Sequence, residues 1–280
     1  MEEQNIVENK NKLMPIGVLI SNTFNLYAKF IGPILLMGLL PVVLFLVSYL
    51  FNFSWLAMIF GIILILYAWL FFPSVIFLIS SERFEGSNLE FVVSAYKNSL
   101  KYFWSYIGLI ISITILVWGG YLLFLIPGLY IGVAMSLAPY IFFIEKEKVR
   151  PALMKSWFYI KGNWWKIFLR YLLWGVAIII IISAISYFAN LIFSAKSLGS
   201  SLVVFAFDYL LGIPLMIVFG FEMYKDIKNL KGSPNEEQLA PFKKRVFWFS
   251  VIGIVAIIGL VLMVISFPSE FINNRPNFIY

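Results

Sequence analysis

The sequence predicts an all-α integral membrane protein with seven transmembrane helices and three amphipathic helices lying in the interface. Three observations carry this. Apolar residues make up 62% of the 280 and charged residues only 12%, about half the charged share of an ordinary soluble domain. Seven stretches, near 32–51, 55–80, 104–125, 127–145, 164–187, 202–223 and 246–267, are long and apolar enough to cross about 30 Å of hydrocarbon, which takes ~20 helical residues. The third observation is charge. With the N-terminus inside, the 21 Lys and Arg fall in the loops 1–31, 81–103, 145–170 and 224–246, with only Lys196 and Arg275 outside. Basic residues in short loops set orientation, and removing one span would put basic loops on both sides. The expectation is a multi-pass protein of the cell membrane, N-terminus cytoplasmic and C-terminus outside.

Taken in order, residues 1–14 are a polar tail without the basic n-region of a cleaved signal. Residues 15–30 set Ile16, Leu19, Ile20, Phe24 and Tyr27 against Ser21, Asn22, Asn25 and Lys29, the stripe of an amphipathic helix. After two spans, Ser87-Asn88-Leu89-Glu90 is a capping-box pattern. It opens a second such helix, with Leu89, Val92, Val93, Tyr96, Leu100 and Phe103 opposite Glu90, Ser94, Lys97 and Lys101. At ~15 residues it is too short to span and belongs in the interface. The third and fourth spans are separated only by Ile126-Pro127-Gly128. One helix over 104–145 would be about 60 Å long, so two crossings around a tight turn are expected. A third amphipathic segment, 151–161, starts with Pro151 at the first helical position and stops at Gly162-Asn163. Two further spans lead to the polar loop 232–245, and 246–280 is an extra span with a short outside tail.

The first six spans read as a threefold internal repeat over 15–231, in units 15–81, 88–145 and 151–223. Each unit is a surface helix plus two crossings. Aligning Leu19, Val92 and Leu153 also aligns Asn22, Ala95 and Ser156, then Phe30, Phe103 and Trp164. Pro73, Pro139 and Pro214 sit at matching places in the second crossings, each followed by an acid, Glu82, Glu145 and Glu222. Each proline frees the carbonyl four residues earlier, on Trp69, Met135 and Leu210, and kinks its helix. An even number of crossings per unit makes the repeats parallel, about an axis along the membrane normal.

The chain has no cysteine and no histidine. That removes thiol chemistry, the commonest general base and the commonest transition-metal ligand. No nucleotide loop or zinc-protease motif is present, so no catalytic residue, cofactor or metal is expected. A net charge of +7 is assigned to anionic lipid headgroups at the cytoplasmic face, and not to nucleic acid, because the basic residues border apolar spans. A protein partner is left open.

Three acids are candidate ligand or ion contacts. Asp208 lies within the sixth span, about two turns from its outer end. A charge at a helix centre in the membrane costs at least ~2.5–3.5 kcal/mol, so such residues face a bundle or a watery cavity. The plainer reading is a shallow Asp, protonated, or satisfied by water or by a partner such as Lys196 or Asn190. Glu222, followed by Tyr224, Lys225 and Asp226, could close a headgroup site with Glu145, Lys146, Lys148 and Arg150. Against that stands simple anchoring by tyrosine and snorkelling lysine. Trp157, Trp164 and Trp165 read as interfacial anchors, Pro127-Gly128 as a turn, and Gly119-Gly120 as small residues that could let helices pack closely.

The runs IPGLYIG, LAPYIFFIEKE, ALMKSWFYIKGNWW and FEMYKDIKNLKG resemble a group of uncharacterised prokaryotic multi-pass membrane proteins. That group includes the membrane domain attached to some glycerophosphoryl diester phosphodiesterases. The resemblance covers about 15–231 and is strongest over 126–166. It implies a helical membrane module and carries over no catalytic residue, since the phosphodiesterase chemistry of those relatives belongs to a separate soluble domain. It also implies six spans, which sets the seventh apart. The expected function is a non-enzymatic accessory or scaffold module contacting lipids or a partner. The alternative is a small-molecule or lipid transporter with a pathway between the proline-kinked helices. An intramembrane enzyme would rest on isolated acids without paired spacing.

Overall fold

Each apolar stretch of the sequence is met by a helix, and two of the breaks between helices fall at a glycine of positive φ, Gly162 and Gly232. The computed structural model describes residues 12–50, 54–81, 86–194 and 197–266. Glu82 and Lys196 lie outside the described residues, as does Arg275. The short helix α1 (Ile16–Lys29) leads through Phe30 into α2 (Ile31–Leu50), and α3 (Ser54–Ser80) follows. Next come α4 (Asn88–Lys101) and the hairpin of α5 (Phe103–Leu123) with α6 (Leu125–Met135). The short α7 (Ala138–Ile144) completes that crossing, and α8 (Val149–Ile160) precedes the long α9 (Trp164–Phe193). The last part is α10 (Leu198–Phe207), a π-helical turn (Asp208–Gly212), α11 (Ile213–Lys231) and α12 (Glu236–Ser266).

Among the described residues, six helical stretches are long and apolar enough to cross a membrane: Ile31–Tyr49, Met58–Ser80, Phe103–Leu123, Leu125–Ile144, Trp164–Phe193 and Leu198–Lys231. Their outer surface is what lipid requires. On α9, Ile179, Leu191 and Ile192 are 63%, 64% and 74% exposed, which hydrocarbon tolerates and water would not.

Several boundaries differ from the sequence reading. The turn between α5 and α6 is the single extended residue Phe124, and Pro127 and Gly128 lie inside the first turn of α6. Proline is tolerated there because the first N–H groups of a helix have no intrahelical partner. Gly128 instead faces Gly120 across the hairpin, where a Cβ on Gly120 would sit 2.7 Å from the Gly128 Cα. Pro151 is the third residue of α8, not the first; Gly162 at φ +85° does stop that helix. The expected loop 232–245 shrinks to four residues. Helix α11 runs on to Lys231, and Asn235 caps α12 through a reciprocal pair, Gln238 N to Asn235 Oδ1 at 2.8 Å and Asn235 N to Gln238 Oε1 at 3.1 Å. Trp157 is not an interfacial anchor: it is 1% exposed and packs between Tyr130 and Phe249.

The capping box of α4 forms as expected, Ser87 Oγ and Glu90 trading hydrogen bonds with each other's N–H. The face of α4 turned to the protein is different: Phe91, Val92, Ala95 and Ser99 are buried, while Leu89, Val93 and Leu100 are 61%, 56% and 56% exposed. The helix therefore has a protein-facing stripe, an outward apolar stripe and the polar stripe Glu90, Ser94, Lys97, Lys101.

The packing has a cyclic order. Helix α4 lies against α3, α8 against α7, and α1 against α11. The helices holding Pro73, Pro139 and Pro214, namely α3, α7 and α11, touch one another pairwise at the centre. Leu19, Val92 and Leu153 are all buried in these contacts. Hydrogen bonds cross the same seams. Tyr27 Oη donates to the Leu210 carbonyl at 2.6 Å, the carbonyl that Pro214 frees. Ser156 Oγ donates to the Ala134 carbonyl at 2.7 Å, and Ser74 Oγ to Ser99 Oγ at 2.9 Å. Tyr67 Oη reaches the Met37 carbonyl at 2.5 Å, four residues before Pro41. Helix α12 closes on α5 through glycine: a Cβ on Gly119 would lie 2.5 Å from the Gly253 Cα.

Two outcomes follow from this packing. Gly253→Leu must push α12 off α5, at an overpacking cost of about 1–3 kcal/mol, whereas Gly259→Leu meets nothing within 4 Å and leaves stability unchanged. Thermal unfolding of the two purified variants checks this, and equal effects would refute the glycine contact. Tyr27→Phe orphans the Leu210 carbonyl and costs about 1–3 kcal/mol. In a Pro214→Ala background, which restores the backbone donor, the same change costs less, and a double-mutant cycle measures the difference.

Candidate functional site

Three polar groupings stand out from an otherwise apolar bundle. The first is built where α7 ends and meets α8 and α11. Helix α7 is stopped at Glu145 and Lys146 takes φ 53°, so Glu145 turns back beneath the bundle. Its carboxylate accepts from Lys155 Nζ at 2.6 Å, from Tyr224 Oη at 2.8 Å and from Tyr159 Oη at 3.4 Å, and Lys228 Nζ lies 3.0 Å away. Lys155 also holds Glu147 at 2.6 Å. Burial would raise the Glu145 pKa, but the hydrogen bonds from Lys155, Lys228 and Tyr224 outweigh it and hold the carboxyl below its usual range. Burial would lower the Lys155 pKa, but its hydrogen bonds to Glu145 and Glu147 outweigh that and raise it. Burial and then the Glu145 charge push the Tyr159 phenol to about 12. This is an ion-pair knot joining three helices.

The second grouping clamps the start of the chain. Arg170 Nη1 meets Asp226 Oδ2 at 2.9 Å, and both side chains are largely buried, at 11% and 6% exposure. Both Asp226 oxygens accept the Met14 N–H at 3.1 Å, and Arg170 donates to the Met14 carbonyl. The sequence signal was available: Arg170 stands inside the apolar run that begins at Trp164, and a cation there demands a named partner. Counting it as a loop charge hid it.

The third grouping surrounds Asp208, at the first position of the π-helical turn. It borders two cavities. One, of about 380 Å³, lies among α3, α7, α9 and α11 and is lined by Phe72, Ser136, Tyr140, Tyr171, Ile182 and Ile213 among others. The other, of about 610 Å³, is lined by Ser186, Asn190, Ser200 and Ser201 with Phe45 and Phe205. The Ser136 hydroxyl is buried and lies near that of Tyr171 without closing a regular hydrogen bond. Pro73, Pro139 and Pro214 do not line the first cavity, but Phe72, Tyr140 and Ile213, each next to one of them, do.

The structure thus brings Glu145 together with Tyr224, as one reading of the sequence required, but not with Glu222. Glu222 is 4% exposed and pairs instead with Lys225 at 2.8 Å. Lys146, Lys148 and Arg150 are exposed; Lys155 and Lys228 take the place expected of them. Asn190 shares a cavity with Asp208. Among the described residues, no three of Asp, Glu, His or Cys gather closely enough to hold a metal ion.

A fourth feature lies at the surface beside the ion-pair knot: a cavity of about 690 Å³ between α8 and the start of α12, lined by Glu147, Arg150, Lys155, Glu236 and Lys243 with Met154 and Leu239. No curated protein and no solved structure matches the chain. A family described as the membrane domain of glycerophosphoryl diester phosphodiesterase matches residues 105–267. The matched stretch begins in α5 and takes in α12, so the helix that had been set apart lies within the family's region. The match covers more than half of the chain, which therefore belongs to the family of glycerophosphoryl diester phosphodiesterase membrane domains.

Proposed function

We propose that the chain is a seven-span, non-enzymatic module of the cell membrane that holds anionic lipid headgroups at its cytoplasmic face for a partner domain or protein. The observation that carries this is the three-way division of α4. Its outward stripe, Leu89, Val93 and Leu100, suits acyl chains, and the adjoining Lys97 and Lys101 suit headgroup phosphates. Exposed Arg150 and Lys243 line the surface cavity beside α8 and extend the cationic surface. Glycerophosphoryl diesters carry the headgroup chemistry of phospholipids, so a membrane module linked by family to an enzyme of that class fits the reading. The seventh span is α12, continued from its observed helix through the expected crossing.

The same proposal includes the threefold repeat. Each short helix lies on the proline-bearing crossing of the unit before it, and the ring closes because α1 lies on α11. Such cyclic packing follows if one unit was used three times about a common axis. The ion-pair knot at Glu145 then acts as a strut that fixes α8 to the crossings on either side.

A second reading, a pathway for a small molecule or lipid, is favoured by one observation. Asp208 and the neighbours of all three central prolines line a single cavity.

Replacing Lys97, Lys101, Arg150 and Lys243 together by Gln tests the headgroup reading. The wild type gains more thermal stability from phosphatidylglycerol than from phosphatidylcholine, and the variant loses most of that preference, at about 1 kcal/mol per basic residue. A variant that keeps the full preference refutes it. Lys155 is unsuitable for this test because it is committed to Glu145 and Glu147. The strut gives a pH prediction. Glu145 has a lowered folded pKa, so its contribution is present above the unfolded value of ~4.3 and is lost as pH falls through the folded value. Lys155 is raised, so its contribution is present below ~10.4 and is lost as pH climbs through its folded value. Glu145→Gln lowers stability at neutral pH by about 1–3 kcal/mol and flattens the acid limb; an unchanged acid limb in unfolding curves would remove Glu145 as the strut.

A further inference from the structure

Among the described residues, Asp208 differs from the other acids of the spans in having no side chain paired with it. Glu222 has Lys225 and Asp226 has Arg170. Among the described residues, no side chain donates a hydrogen bond or forms an ion pair to Asp208. The turn that carries it is π-helical, a local widening of the α-helix that recurs at functional sites. Its carboxylate stands where two cavities meet, each within the roughly 300–1,000 Å³ usual for small-molecule sites.

The two cavities offer different chemistry. The inner one is walled mainly by Phe72, Ile178, Ile182, Ile213 and Met216. The outer one presents the hydroxyls of Ser186, Ser200 and Ser201 and the Asn190 amide. Among the described residues no lysine or arginine lines either, Lys196 lying outside them. An anion would meet an uncompensated carboxylate, and a neutral apolar guest would leave that carboxylate unpaired in a low-dielectric place, at a cost. A cation with a short apolar tail satisfies both halves. We propose that Asp208 anchors a binding site for a primary alkylammonium. The ammonium pairs with the carboxylate and donates to the outer hydroxyl and amide oxygens, and the alkyl chain fills the inner cavity. This goes beyond lipid-headgroup contact at the other end of the bundle and does not require passage across the membrane.

The experiment uses the full chain in nanodiscs of zwitterionic lipid, with n-butylammonium chloride as probe and n-butanol and sodium butyrate at matched ionic strength as controls. A ligand that binds the folded state raises the unfolding temperature with concentration, which yields an apparent affinity. The expected result is a rise with butylammonium and none with either control. Asp208→Asn, which keeps the shape and removes the charge, weakens the apparent affinity about ten-fold or more. Ile182→Phe keeps the carboxylate and narrows the inner cavity, so it weakens butylammonium but not methylammonium. The proposal is overturned if butylammonium fails to stabilise the wild type, if butanol or butyrate does so equally, or if Asp208→Asn binds as tightly. Unchanged butylammonium binding by Ile182→Phe overturns the placement of the tail, and that comparison stands even if Asp208→Asn does not fold.

Discussion

In hydrocarbon a backbone carbonyl without a donor costs several kcal/mol, because no water is there to replace the lost bond. This constraint organises the bundle. Its crossings contain Pro41, Pro73, Pro139 and Pro214, and each removes one donor from the helical ladder. Tyrosine supplies the repair in two of the four cases, Tyr67 at the Met37 carbonyl and Tyr27 at the Leu210 carbonyl. Elsewhere serine ties the helices without reaching a carbonyl four residues before a proline, Ser156 to the Ala134 carbonyl and Ser74 to Ser99. Both tyrosine donors come from a neighbouring helix, so each of these two repairs is also a tie. The Tyr27 bond thereby links the Pro214 kink to the placement of α1.

Close approach of backbones gives the second organising element. Without a hydrophobic driving force between helices in lipid, association depends on dense packing and hydrogen bonds, and small residues permit both. Gly119 and Gly120 point to different partners, Gly253 on α12 and Gly128 on α6. One pair of adjacent glycines in α5 therefore fixes both the hairpin to α6 and the seating of the last helix. Together with the family match running to residue 267, this makes α12 an integral part of the bundle.

The six helices long and apolar enough to cross were legible because their signal is composition over about 20 residues, which no tertiary contact overrides. Helix ends were less so. The Ser87/Glu90 box was recognised, yet the equivalent Asn235/Gln238 box went unread within a stretch that looked simply polar. The face of α4 was misjudged for a different reason. In a membrane the side turned to protein need not be the more apolar one, since lipid accepts Leu89, Val93 and Leu100 while the protein buries Ala95 and Ser99. Hydrophobic periodicity finds the boundary with water and is silent on the boundary between protein and lipid. That Arg170 needed a partner was legible, but which one was not. It meets Asp226 across 56 residues, and nothing in local spacing encodes such a separation.

The acids show how far structure and function can be separated here. Glu145 and Asp226 are held by two or more donors each, so their charge is spent on joining helices, and a ligand would have to break those bonds to use it. That argues against a binding role for Glu145, one of the three acids the sequence offered as ligand or ion contacts. Asp208 is the opposite case. Among the described residues its side chain has no hydrogen-bond or ion-pair partner, and asparagine would fill its place without the cost of a desolvated charge. A cation meeting that carboxylate would offset the cost of its charge, and the two cavities at its side are where such a group would sit.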